Sequence, residues 1–362
     1  MRPSGYGAPS GFGRRMSRRT LLHAAALGAG LTGLSAIGCR SGAKPGTGSR
    51  SASGAATPGT SPTKVSTSWV GTPYDVPLFL GVDTGLFAKH GLDVGLTQIA
   101  GPTSVAALLS GQVQFDHAGS GEMVGAAVQG ADLAIIANLS TVYNLKFYGR
   151  PNIKAVSDLK GKKVGITNPN GEFDMALRAA LPMFGLQPDK DVTFIASGSI
   201  TNVIGALLSG AIDGAAVEVG PNILKVEAAG MTPLFDYATL NLVYSGAAIA
   251  VQRSYIASHR DLVQRYVDVL ITANGLYKQD KEQSLKEIAK IYGSNDPAGL
   301  ELAYNYYAQD KVMPRLPYPR ADLYKSTLEA LCKKTEQACG FDITKALDPS
   351  FVQDAERRGL GK

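Results

Sequence analysis

The sequence predicts an α/β protein of two lobes, each a parallel-core sheet flanked by helices, with a helical C-terminal tail on lobe 1. Three observations carry this. First, Val105-Ala106-Ala107-Leu108-Leu109-Ser110-Gly111-Gln112-Val113 returns as Ile204-Gly205-Ala206-Leu207-Leu208-Ser209-Gly210-Ala211-Ile212. Second, both copies have the same setting: a strand-like run (92–99; 192–196), a polar loop, a small apolar helix closed by Gly111 or Gly210, and another strand (113–117; 212–217). Strand, loop, helix, strand is the unit of a parallel α/β sheet, and two copies about a hundred residues apart imply two similar lobes. Third, beyond Tyr244 the pattern changes to one strand (246–252) followed only by helices, near 259–279, 281–292, 297–308 and 321–335.

The other elements fit the same scheme. Residues 64–69 read as the first strand, 71–74 as a loop, and the stretch to Thr84 as a helix. Residues 131–138 form another apolar strand. Lys163 to Thr167 opens the second lobe, followed by the loop 168–172 and a helix over 173–184. Chain crossings are expected near 149–153 and 241–246. Lobe 1 therefore takes residues 65–150 and 246–362, and lobe 2 takes 151–245.

The chain ahead of the lobes reads differently. Its net charge of +6 is misleading as a guide to partners. Nine positive charges and no acid precede Val65, which leaves the body at −3 and disfavours nucleic-acid binding. Basic Ser17-Arg18-Arg19, an apolar run over 21–38 and small residues at its end have the layout of an export signal over 1–38. Met16 is a possible start. The paired arginines resemble a twin-arginine signal, and Ala36-Ile37-Gly38-Cys39 resembles a bacterial lipobox, which implies acylation at Cys39. The other reading of this segment is a buried N-terminal helix with a free thiol. Residues 39–64, rich in Gly, Ser and Pro, read as a flexible tether. In an exported protein Cys332 and Cys339 tend to pair, provided a helix ends between them; Gly340 suits such a stop. Two free buried thiols are the alternative.

Four motifs in fixed order carry a family resemblance: Gly85-Leu86-Phe87-Ala88-Lys89-His90-Gly91-Leu92-Asp93-Val94, Ala107-Leu108-Leu109-Ser110-Gly111, Asp158-Leu159-Lys160-Gly161-Lys162-Lys163-Val164-Gly165-Ile166, and Phe341-Asp342 with Pro349-Ser350-Phe351-Val352. The body resembles solute-binding proteins of ABC importers in the aliphatic-sulfonate, nitrate, taurine and thiamine-pyrimidine-precursor group. That resemblance implies a type II periplasmic-binding-protein fold, a small-molecule ligand in the cleft, and delivery to a permease and its ATPase. With the lipobox it places an exported, lipid-anchored monomer in the periplasm or on the outer face of the cytoplasmic membrane, with no cofactor, no metal and no bond broken in the ligand.

Open α/β sheets bind ligands at the C-terminal ends of their strands. That rule nominates Thr72, Pro73 and Tyr74; Thr103 and Ser104; Ser120 and Glu122; Asn168, Asn170 and Phe173; Ser199, Thr201 and Asn202; and Glu218. Hydroxyls and amides orient a ligand and Tyr74 or Phe173 stacks on it. Each Ser, Thr or Asn also reads as a helix cap. Glu122, Glu172 and Glu218 oppose an anion and favour a neutral or amine-bearing ligand, although Glu122 and Glu172 also suit the first turn of a helix. Two other functions remain open: a lyase or hydrolase on this fold, with His117 or Glu122 as base and Ser120 nearby, and a ligand-sensing partner of a membrane kinase. The four histidines show no metal-ligand spacing, and Gly119-Ser120-Gly121 lacks the closing glycine of a nucleophile elbow.

Overall fold

The computed structural model describes residues 61–99, 101–169 and 171–362. The signal segment, Met16, Cys39, most of the tether and Asn170 lie outside the described residues. The tether's last residues fall inside the first strand, which begins at Thr63.

The first sheet has the order β2-β1-β3-β10-β4. Its strands are β1 (Thr63–Trp69), β2 (Leu92–Gln98), β3 (Phe115–Gly119), β4 (Ala134–Asn138) and β10 (Ala247–Val251). The second has the order β7-β6-β8-β5-β9, built from β5 (Leu145–Gly149), β6 (Lys162–Ile166), β7 (Val192–Ala196), β8 (Gly214–Glu218) and β9 (Thr232–Asp236). Both sheets follow one plan. Three parallel strands come first, then one strand antiparallel to its neighbours, β10 in the first sheet and β5 in the second. The near-repeat occupies the same place in each: helices α3 (Pro102–Leu109) and α6 (Ile200–Ser209) join the equivalent strand pairs β2–β3 and β7–β8.

The first crossing comes earlier than the sequence suggests. Residues 145–149, grouped with lobe 1 by sequence, pair with β8 from Leu145↔Glu218 to Gly149↔Gly214. An apolar run announces a strand but does not name its partner. The crossing segments 139–144 and 240–246 meet at the bridge Val142↔Val243 and the bond from Tyr244 N to Thr141 O (3.1 Å).

Helices α1 (Val76–Asp83), α2 (Leu86–Lys89) and α4 (Ser120–Val128) complete the first lobe; α5 (Glu172–Ala180) and α7 (Pro221–Ala228) flank the second sheet. The tail holds α8 (Arg253–Gln279), α9 (Lys281–Tyr292), α10 (Pro297–Tyr307), α11 (Lys325–Cys332) and α12 (Ser350–Arg357). Leu262, Val263, Tyr266, Val267, Leu270, Ala273 and Tyr277 make one buried face of α8 at helical spacing. That face packs on α1, where Gly81 makes close approach possible: a Cβ there would sit 2.6 Å from Phe87 and 3.2 Å from Val269. Phe115 of β3 stacks on Tyr266 with ring centroids 3.6 Å apart.

The tail packs on lobe 1 through α8 and α12, but α10 and α11 also reach lobe 2. Helix α10 packs on α7, and α11 touches both α4 and α5. Helix α11 ends at Cys332, and a short 3-10 turn, Glu336–Ala338, brings Cys339 back into a disulfide with it, with a Cα–Cα distance of 4.7 Å. Among the described residues no helix is long and apolar enough to cross a membrane.

Candidate functional site

Two adjoining cavities open where the lobes face each other. The inner one, about 240 Å³, is lined from lobe 1 by Val70, Thr72, Tyr74 and Glu122, and from lobe 2 by Asn144, Glu172, Phe173 and Glu218. The outer one, about 550 Å³, shares Gly119, Glu122, Glu172 and Gly246 with it and is roofed by Thr327, Ala330, Leu331 and Lys334.

The strands deliver these side chains. Strand β3 ends at Gly119 and α4 starts at Ser120, which places Glu122 in the first turn of that helix. At Gly119 a Cβ would lie 2.5 Å from Glu122 Oε2, so the absence of a side chain leaves the carboxylate its room. Glu172 stands in the first turn of α5, and Glu218 ends β8. Both first-turn acids complement their helix dipoles, yet both also line the cavity, so the two readings coexist.

Three residues lining the inner cavity each carry a buried polar atom without a hydrogen-bond partner: Thr72 Oγ1, Tyr74 OH and Glu172 Oε1. Ser140 lies near Tyr74, but its Oγ already accepts from Gly246 N (2.7 Å) and Ala247 N (3.2 Å), and Tyr74 OH meets no partner at hydrogen-bonding geometry. Buried polar groups in folded proteins are overwhelmingly paired, so three orphans around one cavity mark it as built to receive polar atoms.

The electrostatics point the same way. Burial, then Glu218, then Glu122 push the Glu172 carboxyl up to about 8. Burial also raises Glu218, against the lowering effect of hydrogen bonds from Tyr307 and Asn144. Asn144 Nδ2 donates to Glu218 Oε1 at 3.0 Å and to Tyr307 OH at 2.5 Å. Burial raises Glu122 as well, and holds the Tyr74 phenol protonated at any physiological pH.

The residues nominated by sequence divide into two groups. Thr72, Tyr74, Glu122, Phe173 and Glu218 line the inner cavity, as does Glu172. The other described ones do not line either cavity, and Asn170 lies outside the described residues. Pro73 is buried in the turn before α1. Ser104 Oγ donates to Gly101 O (3.0 Å) and Asp116 Oδ2 (3.3 Å), and Ser120 Oγ donates to Ser245 O. Thr103, Asn168 and Thr201 are exposed. Ser199 Oγ accepts from Asn202 N at 3.2 Å and caps α6, while Asn202 Nδ2 donates to Ser197 O at 2.9 Å and ties down the loop before it. Ser199→Ala should therefore cost about 1 kcal/mol in urea unfolding; no loss would show that the cap is idle.

His117 is removed from cleft chemistry. It sits inside lobe 1 with Nε2 3.0 Å from Tyr266 OH, and burial lowers it to about 3, so its ring is neutral. Sequence reasoning missed Asn144, Tyr244, Met175 and the α11 roof; each sits in a crossing, a helix interior or the tail, where no local motif marks it. Among the described residues no group of three or more His, Cys, Asp or Glu is arranged to hold a metal.

Comparison with known proteins agrees with this architecture. A family model described as NMT1/THI5 like matches residues 72–283. A protein named as a binding protein in Brucella abortus (strain 2308) is 32% identical over 225 residues, covering 60% of this chain and 68% of that one. The 4-amino-5-hydroxymethyl-2-methylpyrimidine phosphate synthase of Schizosaccharomyces pombe is 29% identical over 154 residues, but only 41% of this chain and 42% of the enzyme are involved. Among solved structures, the periplasmic aliphatic sulphonate binding protein SsuA of Escherichia coli superposes with a TM-score of 0.65 at 21% identity, over 81% of this chain and 100% of that one. With two five-stranded mixed sheets on one plan, a shared cleft and a family match over more than half its length, the chain has a periplasmic-binding-protein fold and belongs to the NMT1/THI5-like family.

Proposed function

We propose that this protein is an exported solute-binding protein that captures a small organic ligand between its lobes and delivers it to an ABC permease. The observation that carries the reading is the set of orphaned polar atoms, Thr72 Oγ1, Tyr74 OH and Glu172 Oε1, around one interlobe cavity. A ligand touching both walls stabilises the arrangement that brings them together, and that arrangement is what a permease recognises. Residues 1–38 act as the export signal, Cys39 carries the lipid, and the following segment tethers a monomeric body near its permease.

Mass spectrometry of protein purified gently from its own cells should find a bound small molecule. Returning that molecule to stripped protein should raise the melting temperature, and Tyr74→Ala should abolish the rise. Recovery of the molecule chemically altered would assign an enzyme instead. The anchor has its own test: Cys39→Ser should release the protein from membranes and abolish palmitate labelling, and retention of both would end that part of the proposal.

A further inference from the structure

The two cavities share the walls formed by Gly119, Glu122, Glu172 and Gly246 and differ in the residues beyond them. Glu122, Glu172 and Glu218 line the inner chamber, and among the described residues lining it none is basic. Tyr74 and Phe173 add aromatic walls. The outer chamber is more than twice as large; it shares Glu122 and Glu172 and adds Val105, Ala126, Met175 and Leu331. Polar groups it does not share with the inner chamber include Gln129, Thr327 and Lys334. Thr327 is 2% exposed with Oγ1 unpaired, and Lys334 stands exposed at the rim.

From this we infer that the ligand is a two-part molecule: a cationic amine or amidine head held by Glu122, Glu172 and Glu218, and a longer tail crossing the outer chamber to an acceptor group met by Thr327 and Lys334. The inference rests on the solute-binding reading and specifies its ligand. A small anion does not suit the site, because a partly desolvated chamber lined by three acids, with no basic residue among its described lining, offers that charge no partner. A head alone does not suit it either, because the outer chamber and the unpaired Thr327 hydroxyl would be left without contacts. Glu172, whose Oε1 has no partner, lines both chambers and takes an N–H of the head. Lys334 contributes the only positive charge among the described residues lining the two chambers, so a carboxylate or other acceptor at the tail end finds its complement there.

The test is calorimetry on the stripped protein with arylalkylamines, ω-amino acids of three to eight carbons and 4-(aminomethyl)benzoate, against benzenesulfonate and nitrate. At least one zwitterion should bind tenfold or more tightly than the amine lacking its tail acceptor, and the two anions should not bind. Thr327→Val and Lys334→Gln should each erase most of that tenfold preference while leaving the Kd of the head-only amine within twofold. Binding of benzenesulfonate or nitrate in preference to every amine would overturn the inference and leave the solute-binding reading standing. Equal affinity for headed and two-part probes would overturn the second chamber's role. If no probe of either charge binds and no compound accompanies the purified protein, the inference and the reading beneath it both fail.

Discussion

Glu172→Gln should weaken binding of a cationic ligand by about 10- to 100-fold and, at the same time, stabilise the ligand-free protein above pH 8. The affinity loss follows from replacing a charge-assisted hydrogen bond, worth about 1.5–3 kcal/mol, with a neutral one. The stability gain follows from linkage. The Glu172 carboxyl stands at about 8 in the fold against 4.5 in an ordinary glutamate, so between those values the folded chain holds a proton that the unfolded chain has released. Stability from this group is therefore full below pH 4.5 and is lost as pH rises toward 8. The residue is partly exposed although Oε1 is not, so solvent screening discounts the full shift to roughly 2 kcal/mol. For a body of this size that is about 3 °C in melting temperature. Thermal unfolding at pH 5 and pH 8.5 should show the variant gaining only at the higher pH. The same carboxyl gives up its proton when a cation binds, so wild-type affinity should climb from pH 6 to pH 8. Parallel pH profiles for the two proteins would show that Glu172 carries no strained charge.

How much of this was legible in the sequence depends on how local each signal is. The repeated Ala-Leu-Leu-Ser-Gly helices, their glycine caps and the strands around them announce the two lobes, because patterning and capping are short-range. The partner of a strand is not short-range. Leu145 to Gly149 has the composition of a buried strand, and only the competing edge of β8 decides that it belongs to the second sheet. The site divides on the same line. Glu218 at a strand end and Thr72 and Tyr74 in a strand–helix loop follow from the rule that ligands gather at strand ends. Ser199 and Asn202 satisfy that rule equally well in sequence, yet Ser199 is spent capping α6 and Asn202 on the loop before it. Asn144 carries no motif at all. It matters because the crossing runs between Glu218 and Tyr307, a contact made across 74 residues on one side and 163 on the other.

Replacing both Cys332 and Cys339 with Ala should lower unfolding stability by about 2.5 kcal/mol and speed release of a two-part ligand. The first effect is the loop-closure entropy of a short disulfide ring, about 2.5 kcal/mol for eight residues, returned to the unfolded chain when the link is removed. The second comes from what the ring holds. Its first cysteine is the last residue of α11, the helix that touches α4 in lobe 1 and α5 in lobe 2 and supplies Thr327, Ala330 and Leu331 to the outer chamber. The ring itself contains Lys334, on the rim. With the link gone, the end of α11 is free to fray and Lys334 samples more positions, so contacts to the tail end of the ligand are lost first while those to Glu172 and Glu218 persist. Head-only amines should therefore dissociate at an unchanged rate and tailed ligands several-fold faster. Urea unfolding of the wild type with and without reductant measures the stability term, and the double variant should show no response to reductant. Stopped-flow release of the two ligand types measures the second. Equal acceleration of both would mean that the disulfide supports the lobes as a whole; unchanged release of both would mean that α11 holds its place through its contacts with α4 and α5 alone.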